Sequence, residues 1–274
     1  AREKGFNGTV LVERHGAVLH HRGYGLADRA FAVPCARDTR YRIASITKLF
    51  TAVMVMQLVD EGRLGLDATV RDVLPGWKGE GAAVIRVRHL LNHTSGIGHY
   101  TSARDGHTTT PFTTAQALAL FSSRPLLAAP GKQFVYSSYG YMLLGAVVEK
   151  AAHQPFGALL RDELLDPLEL HATGLEADVA TRANRATGYS VGARALMPAA
   201  PLDISSRFSS GGMRSTLEDL VRWARAWLDG KVVSDASWRA MTTPATTSEG
   251  FSPDYGLGFA VYPQRGRKVV AHGI

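Results

Sequence analysis

Ser45 and Lys48 stand three residues apart in Tyr41-Arg-Ile-Ala-Ser-Ile-Thr-Lys-Leu-Phe-Thr51, at the mouth of a segment whose apolar residues fall at helical spacing. Residues three apart on a helix share a face, so this spacing sets a hydroxyl beside an amine. A serine hydroxyl is a weak nucleophile near neutral pH and needs a neighbouring base to take its proton. A lysine serves as that base only where burial or nearby cations lower its pKa, because desolvation disfavours the charged form. A helix N-terminus adds unpaired N–H groups and a dipole that favour negative charge developing on oxygen. The chemistry such a pair supports is acyl transfer through the serine oxygen. Taken alone, the spacing also fits a serine that caps a helix beside a solvated lysine.

Positioning that pair requires a helix with something to pack on. Ile46, Leu49, Phe50, Val53, Met54 and Leu58 predict a helix over about 46–58, with Ser45 at its N-cap. Upstream, 8–13 and 17–21 alternate around His15-Gly16, the period-2 pattern of a hairpin. From about 65 to 205 short helices and loops are predicted, punctuated by Pro75, Pro111, Pro125, Pro130, Pro155 and Pro167. A further helix is predicted over 217–228, with Thr216 and Asp219 in a capping-box arrangement and Gly230 ending it. Residues 255–262 and 268–272 read as two strands around Gln264-Arg-Gly-Arg267. This order predicts an α+β fold: one antiparallel sheet built from both chain ends, flanked by helices, with a mostly helical subdomain inserted at roughly 65–205.

Composition narrows the class. The 274 residues are 45% hydrophobic and 20% charged, as in an ordinary globular protein with a normal core. The longest apolar stretch, residues 50–59 interrupted by Thr51 and Gln57, is far short of the ~20 residues of a membrane span. The formal charge of +7 is carried mostly by arginines scattered singly, without a run or aromatic-interleaved stripe, so no nucleic-acid partner is expected. The single Cys35 excludes an intrachain disulfide and reads as a buried, idle thiol. The chain opens without a signal peptide, as a cytoplasmic protein or the mature part of an exported one would.

The stretch around Ser45 resembles the active-site helix entry of the β-lactamase-related serine hydrolases. That family includes class C β-lactamases, D-alanyl-D-alanine carboxypeptidases, D-aminopeptidases and some carboxylesterases. Four more stretches are similar to it, in the family's order: Arg88-His-Leu-Leu-Asn-His-Thr-Ser-Gly-Ile97, Asp166-Pro-Leu-Glu-Leu-His-Ala-Thr-Gly-Leu175, Gly211-Gly-Met-Arg-Ser-Thr216 and Tyr255-Gly-Leu-Gly-Phe259. The resemblance implies a β-lactamase/transpeptidase-like fold, Ser45 as nucleophile, Lys48 as base, and no metal or organic cofactor. The family's Tyr-x-Asn motif maps to Tyr136-Ser-Ser138. Tyr136 would share the proton transfer, its phenol tuned by the Lys48 ammonium. Ser138 stands where Asn is usual and offers one hydroxyl in place of an amide; both substrate contact and plain helix capping remain open for it. The Lys-Thr-Gly or His-x-Gly motif maps to His272-Gly273-Ile274, with Ile274 where Gly is usual, making His272 and Gly273 the implied substrate-binding pair. A histidine, with a reference pKa of ~6.5, is mostly neutral at pH 7. That leans the implied substrate toward an ester, a D-amino-acid amide or another peptide rather than a β-lactam or a D-Ala carboxy terminus. Two strands and a helix follow this motif in the family, so residues 1–274 are expected to form a single catalytic domain lacking them. The family also implies a periplasmic or secreted location.

Three other patterns compete. Gly188-Tyr-Ser-Val-Gly192 matches a Gly-x-Ser-x-Gly elbow around Ser190, with Asp203 and His272 following in the α/β-hydrolase order; its flanks fit neither the strand nor the helix that motif needs. His89 and His93 lie four apart, as helical metal ligands can, but no His-Glu-x-x-His pattern or third ligand accompanies them, and they read as structural histidines in a turn. From another class, the chain could be a binding or scaffold member of the same fold that acylates slowly or never; turnover of p-nitrophenyl esters separates the two.

Overall fold

Both expected hairpins close on two residues in the left-handed region: His15 and Gly16 at φ 49° and 83°, and Arg265 and Gly266 at φ 50° and 73°. Two-residue turns of this kind match the twist of the strands they join. These coordinates are a computed structural model, which describes residues 6–101, 109–176, 184–192, 195–200 and 202–273. The first turn joins β1 (Gly8–Arg14) to β2 (Ala17–Tyr24), with a bulge at Leu19 where the register shifts. Further short strands follow: β3 (Leu26–Asp28) with β4 (Val33–Pro34), and β5 (Tyr41–Arg42).

Then comes α1 (Thr47–Asp60), buried on every side from Phe50 to Met56. Its partner is α5 (Ser138–Ala152), equally enclosed, reached through the shorter α2 (Val70–Val73), α3 (Val87–Leu91) and α4 (Thr114–Ala119). A helix apolar all round belongs at the centre of a core rather than on its surface. Next are α6 (Phe156–Leu160), β6 (Gly174–Leu175), the hairpin β7 (Tyr189–Val191) and β8 (Leu196–Pro198), and β9 (Met213–Ser215). The chain continues through α7 (Leu217–Leu228) and α8 (Asp235–Met241) to β10 (Ala260–Gln264) and β11 (Arg267–Ala271). One apolar core runs from Ile43 to Val261, with Phe50 stacked on Trp223 at 4.3 Å.

The α+β, antiparallel character is as expected; the single sheet is not. Among the described residues β1–β2 and β10–β11 are separate two-stranded ladders, and the only three-stranded sheet is β5-β9-β6. Period-2 patterning reveals a strand but not its partner, which explains the difference. The expected strand at Tyr255 begins instead at Ala260, because Gly258 turns the chain at φ 102° where a Cβ would meet Ala52 at 2.6 Å. The inserted region is helical to residue 165 and carries short strands after it. Thr216 caps α7 as read, accepting from Asp219 N at 3.2 Å. The Asp219 carboxylate does not return to close the box; it accepts from Ala172 N and Thr173 Oγ1, fastening the approach to β6. Cys35 is buried and unpaired with another cysteine. Among the described residues no helix is long and apolar enough to cross a membrane.

Candidate active site

The β5–β9 ladder pairs Tyr41 with Ser215 and Arg42 with Arg214, and Ile43 N extends it by donating to Met213 O at 3.1 Å. Two turns are thereby held side by side: the one leaving β5, which carries Ser45, and the one entering β9, which carries Ser210. Ala44 adopts φ 43°, a left-handed conformation that costs an L-residue roughly 1–2 kcal/mol. Ser45 then lies in a 3₁₀ turn, Ala44–Ile46, and the N-cap of α1 is Ile46, with no side-chain cap bond. The expectation that Ser45 caps the helix is thus corrected. Its hydroxyl is engaged by side chains instead.

Lys48 Nζ lies 3.1 Å from Ser45 Oγ and donates to the Ser210 carbonyl at 2.7 Å. Lys48 is fully buried, and among the described residues no carboxylate pairs with it. Burial, and then the charge of Arg207, pull its pKa down to about 7 from 10.5. Its amine also sits 5.0 Å over the ring of Tyr136 and 5.7 Å over that of Tyr141, contacts that favour the ammonium. Stacking of this kind returns about 2 kcal/mol when desolvated. A fall from 10.5 to about 7 corresponds to roughly 5 kcal/mol, so burial wins.

Tyr136 donates to Ser45 Oγ at 2.9 Å. Burial raises its pKa, its bond to Ser45 opposes the rise, and Tyr100 adds to it. The phenol therefore stays protonated at neutral pH; the expected tuning by an ammonium is outweighed by burial. Ser45, Lys48 and Tyr136 meet at one point, brought from three elements of the chain.

The residues assigned to substrate are less uniformly placed. His272 Nδ1 lies 2.6 Å from Gly273 O, and its ring is 6.3 Å from that of Tyr136. Burial lowers its pKa to about 4, the Gly273 carbonyl opposing and the Lys48 charge assisting. It is neutral at pH 7, with Nε2 buried and unpartnered among the described residues. Gly273 is exposed, and Ile274 lies outside the described residues. Ser138 opens α5, buried, its N–H donating to His99 Nδ1 at 3.1 Å. The capping role considered for it falls to Ser137, whose Oγ accepts from Gly140 N.

Ser190 is exposed on β7, paired with Met197 of β8, so no strand–turn–helix elbow forms around it; 177–183 and 193–194 on its flanks lie outside the described residues. His89 and His93 each spend Nδ1 on a backbone amide, from Arg86 and Ser137 respectively. The Ser210 carbonyl and His99 carry no site signal in the sequence, and His93 reads there only as a metal-ligand candidate or a structural histidine in a turn. A carbonyl has no side-chain signature, though Ser210 directly precedes the Gly211–Thr216 stretch. Gly96 shows why the His93-Thr-Ser-Gly turn takes its shape: at φ 78°, a Cβ there would stand 1.9 Å from Ala128 O.

Residues 2–273 match the Beta-lactamase family. Esterase EstB of Burkholderia gladioli is 36% identical over 189 residues, 63% of this chain and 48% of EstB. A D-aminopeptidase of Gluconobacter oxydans is 27% identical over 280 residues, 100% of this chain and 52% of the relative. An octameric penicillin-binding protein homologue from Pyrococcus abyssi superposes with a TM-score of 0.83 at 28% identity, covering 96% of this chain and 63% of that one. The chain spans about half of the first two relatives' length. With a match across nearly all its residues and this shared fold, the chain belongs to the β-lactamase family.

Proposed function

We propose that this protein is a serine hydrolase that cleaves an ester or amide bond through an acyl-enzyme on Ser45. The observation that carries the reading is the buried Lys48 amine, lacking a carboxylate partner among the described residues, 3.1 Å from Ser45 Oγ. A lysine so placed is about half uncharged at neutral pH and takes the hydroxyl proton as Oγ attacks a carbonyl carbon. The Oγ–C bond forms, the carbonyl electrons move to oxygen, and the backbone N–H of Ser45 contributes to the oxyanion site. Tyr136 gives its phenolic proton to the departing oxygen or nitrogen as that bond breaks, and recovers one from Lys48. Water then attacks the acyl carbon, giving its proton to Lys48; the Oγ–C bond breaks, Lys48 returns that proton to Oγ, and the product acid leaves.

Neutral His272 offers no fixed positive charge to a substrate carboxylate, which favours an uncharged ester, a D-amino-acid amide or another peptide over a carboxylate-bearing β-lactam. The names of the relatives, an esterase and a D-aminopeptidase, span the same classes. Residues 1–274 are read as one catalytic domain, on the ground of the single core. Hydrolysis of p-nitrophenyl butyrate tests the proposal: the rate should vanish in Ser45→Ala. Equal rates in the two proteins would favour a non-catalytic scaffold instead.

A further inference from the structure

Tyr136 is the member of the catalytic group that no helix or strand carries; it lies in the loop ahead of α5. A phenol on a loop reaches one hydroxyl reliably only if the backbone on both sides of it is pinned. His93, buried in the turn after α3 at φ 61°, supplies both pins. Its carbonyl accepts from Val135 N at 2.7 Å, and its ring Nδ1 accepts from Ser137 N at 3.1 Å. The two chain neighbours of Tyr136 thus hang on the same residue. The imidazole also lies against the Tyr136 ring, with centroids 4.4 Å apart at 41°.

We infer that His93 is a positioning residue, which through this two-point backbone clamp and its ring face holds the Tyr136 phenol on Ser45. The inference rests on the proposed function. Because Nδ1 accepts, the ring proton sits on Nε2. That nitrogen is buried without a hydrogen-bond partner among the described residues, in a ring enclosed by Phe134, Tyr141 and Tyr255 at 5.7, 5.1 and 5.0 Å. Burial, followed by the charge of Lys48, holds the imidazole neutral, well below its ordinary pKa. An imidazolium would lose the Ser137 bond and set a second cation near Lys48.

The clamp separates two substitutions that a merely structural histidine would not. Asparagine tolerates a left-handed backbone, and its Oδ1 stands where Nδ1 accepts; glutamine reaches the Nε2 position instead. His93→Gln should lower kcat on p-nitrophenyl butyrate by roughly 10²-fold, the scale of a misplaced catalytic group, with KM within about 2-fold. His93→Asn should recover most of that loss. Hydrogen exchange reads the clamp without activity: the Ser137 amide should be protected in wild type and His93→Asn, and exposed in His93→Gln. Full kcat with a protected Ser137 amide in His93→Gln overturns the inference, as does an equal loss in both variants. If His93→Gln does not fold, a folded His93→Asn with an exposed Ser137 amide and wild-type kcat overturns it as well. Wild type without turnover, or Ser45→Ala with it, would instead defeat the functional reading and leave the exchange data to judge the clamp.

Discussion

Two buried basic side chains lie near the β5–β9 ladder, Arg214 on β9 and Lys48 on α1, and they are treated in opposite ways. Arg214 on β9 is 5% exposed and meets Glu176, 11% exposed, at 3.0 Å; Arg42 adds a two-pronged pair at 2.7 Å, and Arg185 joins it. Burial pushes the Glu176 carboxyl up, but hydrogen bonds and charge from Arg42 and Arg214 outweigh it, so its pKa falls below the ordinary value. Lys48, more deeply buried, has a carbonyl, a hydroxyl and two aromatic faces around it and no carboxylate among the described residues. A guanidinium cannot shed its proton in this range and must be paired; an amine can, and when left unpaired it becomes a base. The fold thus stabilises charge in one cluster and suppresses it in the other.

The largest effect expected from breaking this contrast is on activity. Lys48→Arg keeps a cation at Ser45 but removes the titratable amine that the proposed mechanism uses as base, and should cost up to on the order of 10⁴-fold in kcat, the upper end of a general base's contribution. Steady-state kinetics on p-nitrophenyl butyrate checks it. Next is Glu176→Gln, which strands Arg214 without a counter-charge. Unfolding in urea should show a loss of roughly 3 kcal/mol, the low end for broken buried pairs because Arg42 and Arg185 reach solvent.

The two clusters should also leave opposite marks on stability against pH. Glu176 has a lowered folded-state pKa, so its contribution is present above the unfolded value near 4.5 and is lost as pH falls through the folded one. Lys48 drops from 10.5 to about 7 on folding, so between those values the unfolded chain holds the extra proton and stability rises with pH. Lys48→Met, which removes that titration, should therefore melt above wild type at pH 6, with the gap closing toward pH 10. A gap independent of pH would mean that the amine is not suppressed. The smallest effect is expected at Arg207, whose charge helps depress Lys48. Arg207→Gln should move the acid limb of kcat/KM to higher pH by less than about one unit.

Much of this was legible in the sequence where the signal is local. The Ser45–Lys48 spacing, the two hairpin turns and the Thr216 cap depend on neighbours within four residues and were placed correctly. Ser45 does not cap α1 because Ile43 N bonds across to Met213 O, and the chain enters the helix through a strained Ala44 and a 3₁₀ turn. That β1–β2 and β10–β11 stay separate ladders, and that the Ser210 carbonyl and the His93 hydrogen bonds reach the site, depends on how distant segments meet, which no period reveals. The capping role considered for Ser138 belongs one residue earlier, to Ser137, a difference of a single residue in where α5 begins.

The central claim is that an uncharged Lys48 amine activates Ser45 near neutral pH. The most direct test follows modification of the intact protein by a fluorophosphonate across pH 5–10, with mass mapping of the labelled residue. A single adduct on Ser45 is expected, forming at a rate that climbs to a plateau with an apparent pKa near 7. An adduct on another residue, or a rate that rises only near the ordinary lysine pKa of about 10, would contradict it.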